Sequence, residues 1–259
     1  MEERLEEIGD VDTWSVSALK CIGQCGKQYE FRYRQVAKKA EATPPLAFGS
    51  AVHKCVERLH KEGDKWEPSQ WQRMWNDEWY TYASRIDWAV MGYRKSTFDK
   101  LGVVMLDSYI TNNRDADILE SEWAFPNTKG ESYSIDRYPI KGIIDQVRRQ
   151  PNGKLLIVDL KTSKDKPDPL LLRSDPQFTF YWAAAREKYG EEPELAWLHL
   201  RTGELIKTRR TEADLEIVRE MLHEGQVRVD NKMFARNIGF SCKYCPFIND
   251  CLGPLAAGD

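Results

Sequence analysis

The chain has 259 residues, 41% hydrophobic and 31% charged, with a formal net charge of −3. That balance excludes a disordered chain, and no apolar run is long enough to cross a membrane. The charge also excludes the overall basic excess of many nucleic-acid binders, while leaving local patches open. The opening MEERLEEIGDVD is acidic, unlike a signal or transit peptide, so the expected compartment is the cytoplasm.

In chain order, residues 15–35 are expected to form a helix capped by Ser15. Residues 47–62 form an amphipathic helix with Val52, Val56 and Leu59 on one side. Residues 67–113 read as mostly helical, with a break near Gly92. Their aromatic residues, Trp71, Trp75, Trp79, Tyr80, Tyr82 and Trp88, are expected to pack a core rather than stack on bases. Strands follow at 118–126, 138–149 and 154–161. A helix over 170–189 leads to a strand pair, 194–201 and 204–210, joined at Thr202 and Gly203. A helix over 212–229 and a short cysteine-rich tail from Ile238 complete the chain. Helices, a strand meander, a crossing helix, more strand and a closing helix make an α/β fold with a mixed sheet.

The stretch GIIDQVRRQPNGKLLIVDLKTSK, residues 142–164, is the most informative. Pro151, Asn152 and Gly153 are turn residues, and a three-residue loop with Gly153 in the left-handed position makes Gln150 face Lys154. That register sets Asp145 opposite Asp159, with Cβ atoms roughly 5 Å apart. Lys161 points to the same face, because side chains alternate along a strand. Two carboxylates this close repel unless a cation lies between them. One reading is a Mg²⁺ or Mn²⁺ site with retained waters, where Lys161 steadies charge on a phosphate oxygen or orients a water. The other is a structural trio in which Lys161 pairs with both aspartates.

The six cysteines crowd the two ends of the chain. In a cytoplasmic protein that spacing points to a metal or cluster rather than to disulfides. Cys242, Cys245 and Cys251 form a Cys-x2-Cys with a third cysteine six residues on; Cys55 reads as a buried free thiol. Basic residues gather between Lys20 and Lys39, and again at Arg201, Lys207, Arg209 and Arg210; charge clusters alone read as solvated faces.

These features together resemble the PD-(D/E)xK nuclease superfamily in its RecB-like branch of iron–sulfur exonucleases. That branch includes the CRISPR-associated exonuclease, phage relatives and the AddB-type helicase-nuclease. GIID followed by VDLKT resembles the name-giving motif and assigns Asp145, Asp159 and Lys161 to catalysis. GSAVH resembles the family's Gly-x-x-x-His and implies that His53 joins Asp145 and Asp159 on the metal. QFTFY resembles Gln-x-x-x-Tyr and implies that Gln177 and Tyr181 place the lysine and the strand. SVSALKCIGQCGKQYEFRY resembles the branch's N-terminal Ser-x-Ser helix, whose cysteine maps to Cys25, with Cys21 one turn earlier as the alternative. With Cys242, Cys245 and Cys251 it would hold a 4Fe-4S cluster; zinc is the other metal that four thiolates suit. An additional acid before the hairpin is expected from Glu120 or Glu122.

The resemblance implies one nuclease domain over 1–259, with a restriction-endonuclease-like core at about 118–210 and a helical insertion at about 64–117. An iron–sulfur module would be built from about 15–35 and 238–253. It further implies DNA, mainly single-stranded, as substrate, degraded from the 5′ end. Recombination, helicase or CRISPR-integration proteins are the expected partners, in a host cytoplasm if the chain is phage-encoded. The Lys20–Lys39 segment would then contact the DNA backbone. A structure-specific endonuclease, and a DNA-binding adaptor with secondary cleavage, are the competing readings.

Overall fold

The computed structural model describes residues 13–34, 43–62, 66–127 and 131–253. Its centre is a seven-stranded mixed sheet. Strand β4 (Tyr138–Arg149) is the hub. It pairs antiparallel with β2 (Asp117–Phe125) and with the short β3 (Ser134–Ile135), and parallel with β1 (Trp14–Ser15). On its other side it meets β5 (Leu155–Lys161), which runs parallel to β6 (Glu194–His199); β7 (Glu204–Thr208) closes that edge antiparallel to β6.

Alternation on β5 shows why helices cover both faces. Leu155 and Ile157 enter one apolar cluster, while Leu156, Val158 and Leu160 enter another. A strand buried on both sides reads as a continuous apolar run, which LLIV does. The first cluster is roofed by α1 (Val16–Gln24), α8 (Pro176–Tyr189) and α9 (Glu212–Asp230). The second is roofed by α3 (Pro44–Glu62), α4 (Pro68–Ala83) and α6 (Lys95–Asn113), with the single turn α5 (Trp88–Met91) between the last two. Trp71, Trp75 and Trp79 are core and Tyr82 and Trp88 pack against it, as expected, but Tyr80 is 72% exposed and does not join it. Trp75 and Trp79 stack at 5.6 Å, and Phe48 meets both edge-on. Each such ring withdraws roughly 150–250 Å² from water. Gly102 admits the Trp75 ring, since a Cβ there would fall 2.0 Å from it.

Two expected helices are broken, each at a residue that matters later. The helix over 15–35 stops at Cys25, which is extended (φ −161°, ψ 114°); the chain resumes as α2 (Gly26–Tyr29) and a π-helical turn, Glu30–Arg34. The helix over 170–189 is two helices, α7 (Pro169–Ser174) and α8, parted at Asp175. Asp168 and Asp175 each precede a proline and cap the helix that follows; Asp175 accepts the Gln177 N–H at 2.9 Å. Aspartate at the cap with proline at the first helical position is a start signal, and it outweighs the apolar periodicity that reads as one helix. The break near Gly92 is present, with Gly92 at φ 68°. The strands β1 and β3 are too short for periodicity to reveal. The tail forms a 3₁₀ turn, Phe240–Tyr244, and α10 (Ile248–Leu252).

Candidate active site

The hairpin folds in the register expected. The Gln150 N–H donates to the Lys154 carbonyl at 2.9 Å, Gly153 lies at φ 80°, and the ladder runs from Arg149↔Leu155 to Gln146↔Val158. There the two strands part. The Leu160 N–H, next in line for the ladder, donates instead to Asp145 Oδ2 at 2.6 Å. The fork brings Asp145 and Asp159 level without burying an unpaired amide, a costly defect in a sheet.

The third acid comes from β2. A bulge between Ile118 and Glu120 shifts the β2–β4 register, and the pairs on either side, Ser121↔Gln146 and Trp123↔Ile144, set Glu122 opposite Asp145. Glu122 itself is left-handed, at φ 54°, a conformation that costs a non-glycine residue roughly 1–2 kcal/mol. Simple alternation would keep Glu120 and Glu122 together, but the turned backbone separates them. Glu120 is drawn to Lys188 and Tyr189 and does not join the site. Three neighbouring strands thus present Glu122, Asp145 and Asp159 at one level.

Helices from both faces reach the fork. From α3, His53 Nδ1 lies 3.2 Å from Asp145 Oδ1 and 3.7 Å from Glu122 Oε1. From α8, Gln177 Nε2 donates to Asp159 Oδ1 at 3.3 Å and to the Tyr181 hydroxyl at 2.6 Å. Lys161 Nζ lies 2.8 Å from Asp159 Oδ2. Every residue expected at the site from the hairpin, the histidine motif and the Gln-x-x-x-Tyr motif is therefore within one constellation.

The electrostatics are those of a crowded acid pocket. Burial would lower the His53 imidazole, but Asp145 and then Glu122 outweigh it and hold its pKa up to about 10. Burial, with Asp145 beside it, pushes the Asp159 carboxyl up to about 6 against the pull of Lys161. Lys161 is itself raised, since Asp159 and Asp145 outweigh its own burial. Glu122 Oε2 is buried without a hydrogen bond, and Asp159 Oδ2 is buried with the Lys161 ammonium 2.8 Å away. His53, Glu122 and Asp145 each offer a donor atom, all within 4.8 Å of one another. Imidazole plus carboxylates with spare lone pairs is a donor set suited to a divalent cation, and it would displace the proton that otherwise neutralises the cluster.

The comparisons agree with this geometry. The sequence pattern of the PD-(D/E)XK nuclease superfamily matches residues 13–252. The chain belongs to that superfamily. The nuclease fold is shared with a candidate exonuclease from Eubacterium rectale, whose crystal structure superposes with a TM-score of 0.53 at 14% identity, over 95% of this chain and 94% of that one. A second structure, SSO0001, aligns over 98% of this chain and 93% of its own at 17% identity; its TM-score of 0.37 is too low to carry an argument. No curated protein matches the sequence. Among the described residues, no helix of the chain is long and apolar enough to cross a membrane.

The cysteines sort by environment. Cys21 sits in the core at 5% exposure, its thiol pushed up to about 11 by burial, and Cys55 is fully buried. Cys25, Cys242, Cys245 and Cys251 line one pocket, with Phe31, Ile238 and Phe247 among the apolar walls. Donors point at three of the sulfurs: Asn237 N–H at Cys25 (3.5 Å), Gly239 N–H at Cys242 (3.5 Å) and Arg236 Nε at Cys251 (3.3 Å). No three of these sulfurs lie within 4.8 Å of one another, so they are not drawn into a compact set.

The two basic stretches are largely solvated, with Lys20, Arg32, Arg34, Lys207 and Arg209 exposed, although several of their charges are paired. Lys20 pairs with Asp175 at 2.7 Å and Lys27 with Glu30; Lys38 and Lys39 lie outside the described residues. Arg201 donates to the Thr162 carbonyl, and Lys207 pairs with Glu194. Arg210 is buried and donates to the carbonyls of Leu172 (3.1 Å) and Asp175 (2.7 Å) at the α7–α8 break. Sequence reading misses this role for Arg210, and no local motif announces it. Asp175 could have been found from its Asp-Pro pair.

Proposed function

We propose that the chain is a divalent-metal-dependent DNA exonuclease of the RecB-like iron–sulfur branch, acting on single-stranded ends and favouring the 5′ end. The observation that carries it is the fork, where buried acids with unused lone pairs sit beside a histidine and a lysine. His53, Glu122, Asp145 and Asp159 would hold Mg²⁺ or Mn²⁺. When bound, the cation lowers the pKa of a water and offsets charge on the scissile phosphate. Lys161 sits on the rim of the fork, where its ammonium can hold that water or the charge that grows on phosphate oxygen. Gln177 ties Asp159 to Tyr181 and fixes the carboxylate's orientation. The helix that carries both is anchored by Asp175 and Arg210, so the strand would pass a rigid wall.

The pocket of Cys25, Cys242, Cys245 and Cys251 is the proposed 4Fe-4S site. Donors to sulfur and an apolar wall suit a cluster carried by thiolates. The proposed settings are recombination, repair or CRISPR adaptation.

The test uses linear single strands labelled at either end beside a closed circular single strand, with Mg²⁺, Mn²⁺ or EDTA. Early release of short 5′-labelled products, with the circle untouched and EDTA inhibiting, is expected. Rapid cutting of the circle would replace the exonuclease reading with an endonuclease. Cleavage unaffected by EDTA would overturn the metal assignment.

A further inference from the structure

The cysteine-rich tail carries three aromatic residues, and they are treated differently. Phe247 is buried, tilted against Phe31 with ring centroids 5.7 Å apart. Phe240 and Tyr244 face outward, 79% and 69% exposed, with ring centroids 5.6 Å apart and planes at 67°. Both belong to the five-residue 3₁₀ turn, closed by the Cys242 N–H on the Gly239 carbonyl (3.0 Å) and by the Cys245 N–H on the Cys242 carbonyl (3.1 Å). Two adjacent rings on a stiff turn withdraw almost nothing from water within this chain. Scattered exposed apolar residues need no explanation, but a paired, pre-oriented set marks a binding surface.

Charge identifies the occupant. Lys243 lies between the two rings in sequence, its Nζ 5.8 Å from the Tyr244 ring centroid. The segments around the cysteine pocket, 26–34 and 232–252, hold six lysines and arginines against two acids, in a chain whose overall charge is −3. Aromatic faces interleaved with cations fit unpaired bases on a phosphate backbone. In a duplex the base faces are already stacked on one another, so such rings select a single strand.

Helix α1 connects this surface to the fork. Lys20 pairs with Asp175, whose charge is felt by Lys161, and the helix ends at Cys25 on the cysteine pocket. From Lys20 to Cys25 the helix covers about 7 Å, and a strand reaching from the fork to the rings must cross that length and the pocket beyond it, which takes several nucleotides.

We propose that Phe240, Tyr244 and Lys243 form a stacking platform that holds a single nucleic-acid strand several nucleotides from the cut. The proposal rests on the nuclease reading and supplies its strand preference. Binding of fluorescein-labelled dT16 and dT4 is measured by anisotropy in EDTA, with 2-aminopurine at successive positions of dT16 reporting stacking. The double variant Phe240→Ala/Tyr244→Ala should weaken dT16 by about 10- to 100-fold and leave dT4 within about twofold, abolishing the 2-aminopurine quench. Phe240→Tyr/Tyr244→Phe should restore both. Wild-type affinity and quench in the alanine variant would overturn the platform and give the surface to a protein partner. Mn²⁺-dependent cleavage of dT16 by the wild type is followed in parallel. If it persists while the alanine variant binds normally, only the platform falls. If the wild type neither binds nor cuts, the nuclease reading falls and takes the platform with it.

Discussion

At the scale of single residues, the site is defined by what each side chain gives up. Lys161 neutralises Asp159 only partly and leaves its carboxyl near pKa 6. Because the lysine would act mainly on charge that develops in the transition state, Lys161→Ala should reduce cleavage to background while circular dichroism and dT16 affinity change little. Wild-type cleavage by that variant would remove Lys161 from the mechanism. Glu122 bears backbone strain at the position where it meets His53. Glycine accepts a positive φ without that cost, so Glu122→Gly should raise unfolding stability by about 1 kcal/mol while weakening Mn²⁺ binding by more than roughly tenfold. Calorimetric titration and thermal melting read the two effects separately; a loss of both together would mean that Glu122 serves the fold alone. The acids of the hairpin were legible because a turn, an alternation and a register locate them. Glu122 could only be offered beside Glu120, because a left-handed backbone has no signature in an isolated glutamate.

At the scale of elements, a buried polar chain ties α3 to β4 through α6. The Tyr109 hydroxyl accepts from Gln146 Nε2 at 2.6 Å and shares a hydrogen bond with His60 Nε2 at 2.6 Å. Arg148 adds its hydrogen bond to Asn113 at 2.8 Å. Burial, helped by the Arg148 charge, lowers His60 to about 4, against about 6.5 in the unfolded chain. The unfolded state therefore binds more protons between those values, and stability falls as pH drops through that window. From pH 7 to pH 5 this site should account for about 2 kcal/mol of lost stability. His60→Gln should lack that share in urea melts at the two pH values; an identical pH slope in both proteins would dissociate His60 from it. Periodicity located α3, α6 and β4, but nothing local says that a histidine, a tyrosine and an arginine far apart in sequence will share one network. The same holds for the break at Asp175, where apolar spacing runs on through a cap.

At the scale of the whole molecule, the two ends meet. The cysteine pocket takes one wall from residues 25–31 and the rest from 236–252. With the proposed cluster in place, aerobically purified protein should be brown, with about four irons per chain. Cys242→Ser or Cys251→Ser should bleach it and lower the melting temperature, and Cys55→Ser should do neither. A colourless protein with one zinc would keep the four cysteines and change the metal. The spacing of Cys242, Cys245 and Cys251 suggested a metal site on its own, and the structure places all three on one pocket. The partner far upstream did not follow from spacing: Cys21 and Cys25 stand one helical turn apart, and only the extended backbone at Cys25, which ends α1, turns its sulfur out of the core and into the pocket.

The junction of the ends also sets an order of assembly. Trp14 donates to Gln226 at 2.9 Å, the Ile22 carbonyl accepts from Arg228 at 3.2 Å, and Lys27 N–H reaches the Ala235 carbonyl at 3.2 Å. The strand that carries Trp14 pairs with Ile140. Contacts this distant in sequence form late and slow a fold, and a chain is synthesised from its N-terminus. The sheet from β2 to β7 can be complete while α1, made before it, waits for α9, made after it. A nascent chain thus gathers its acids before α1 has a place to dock.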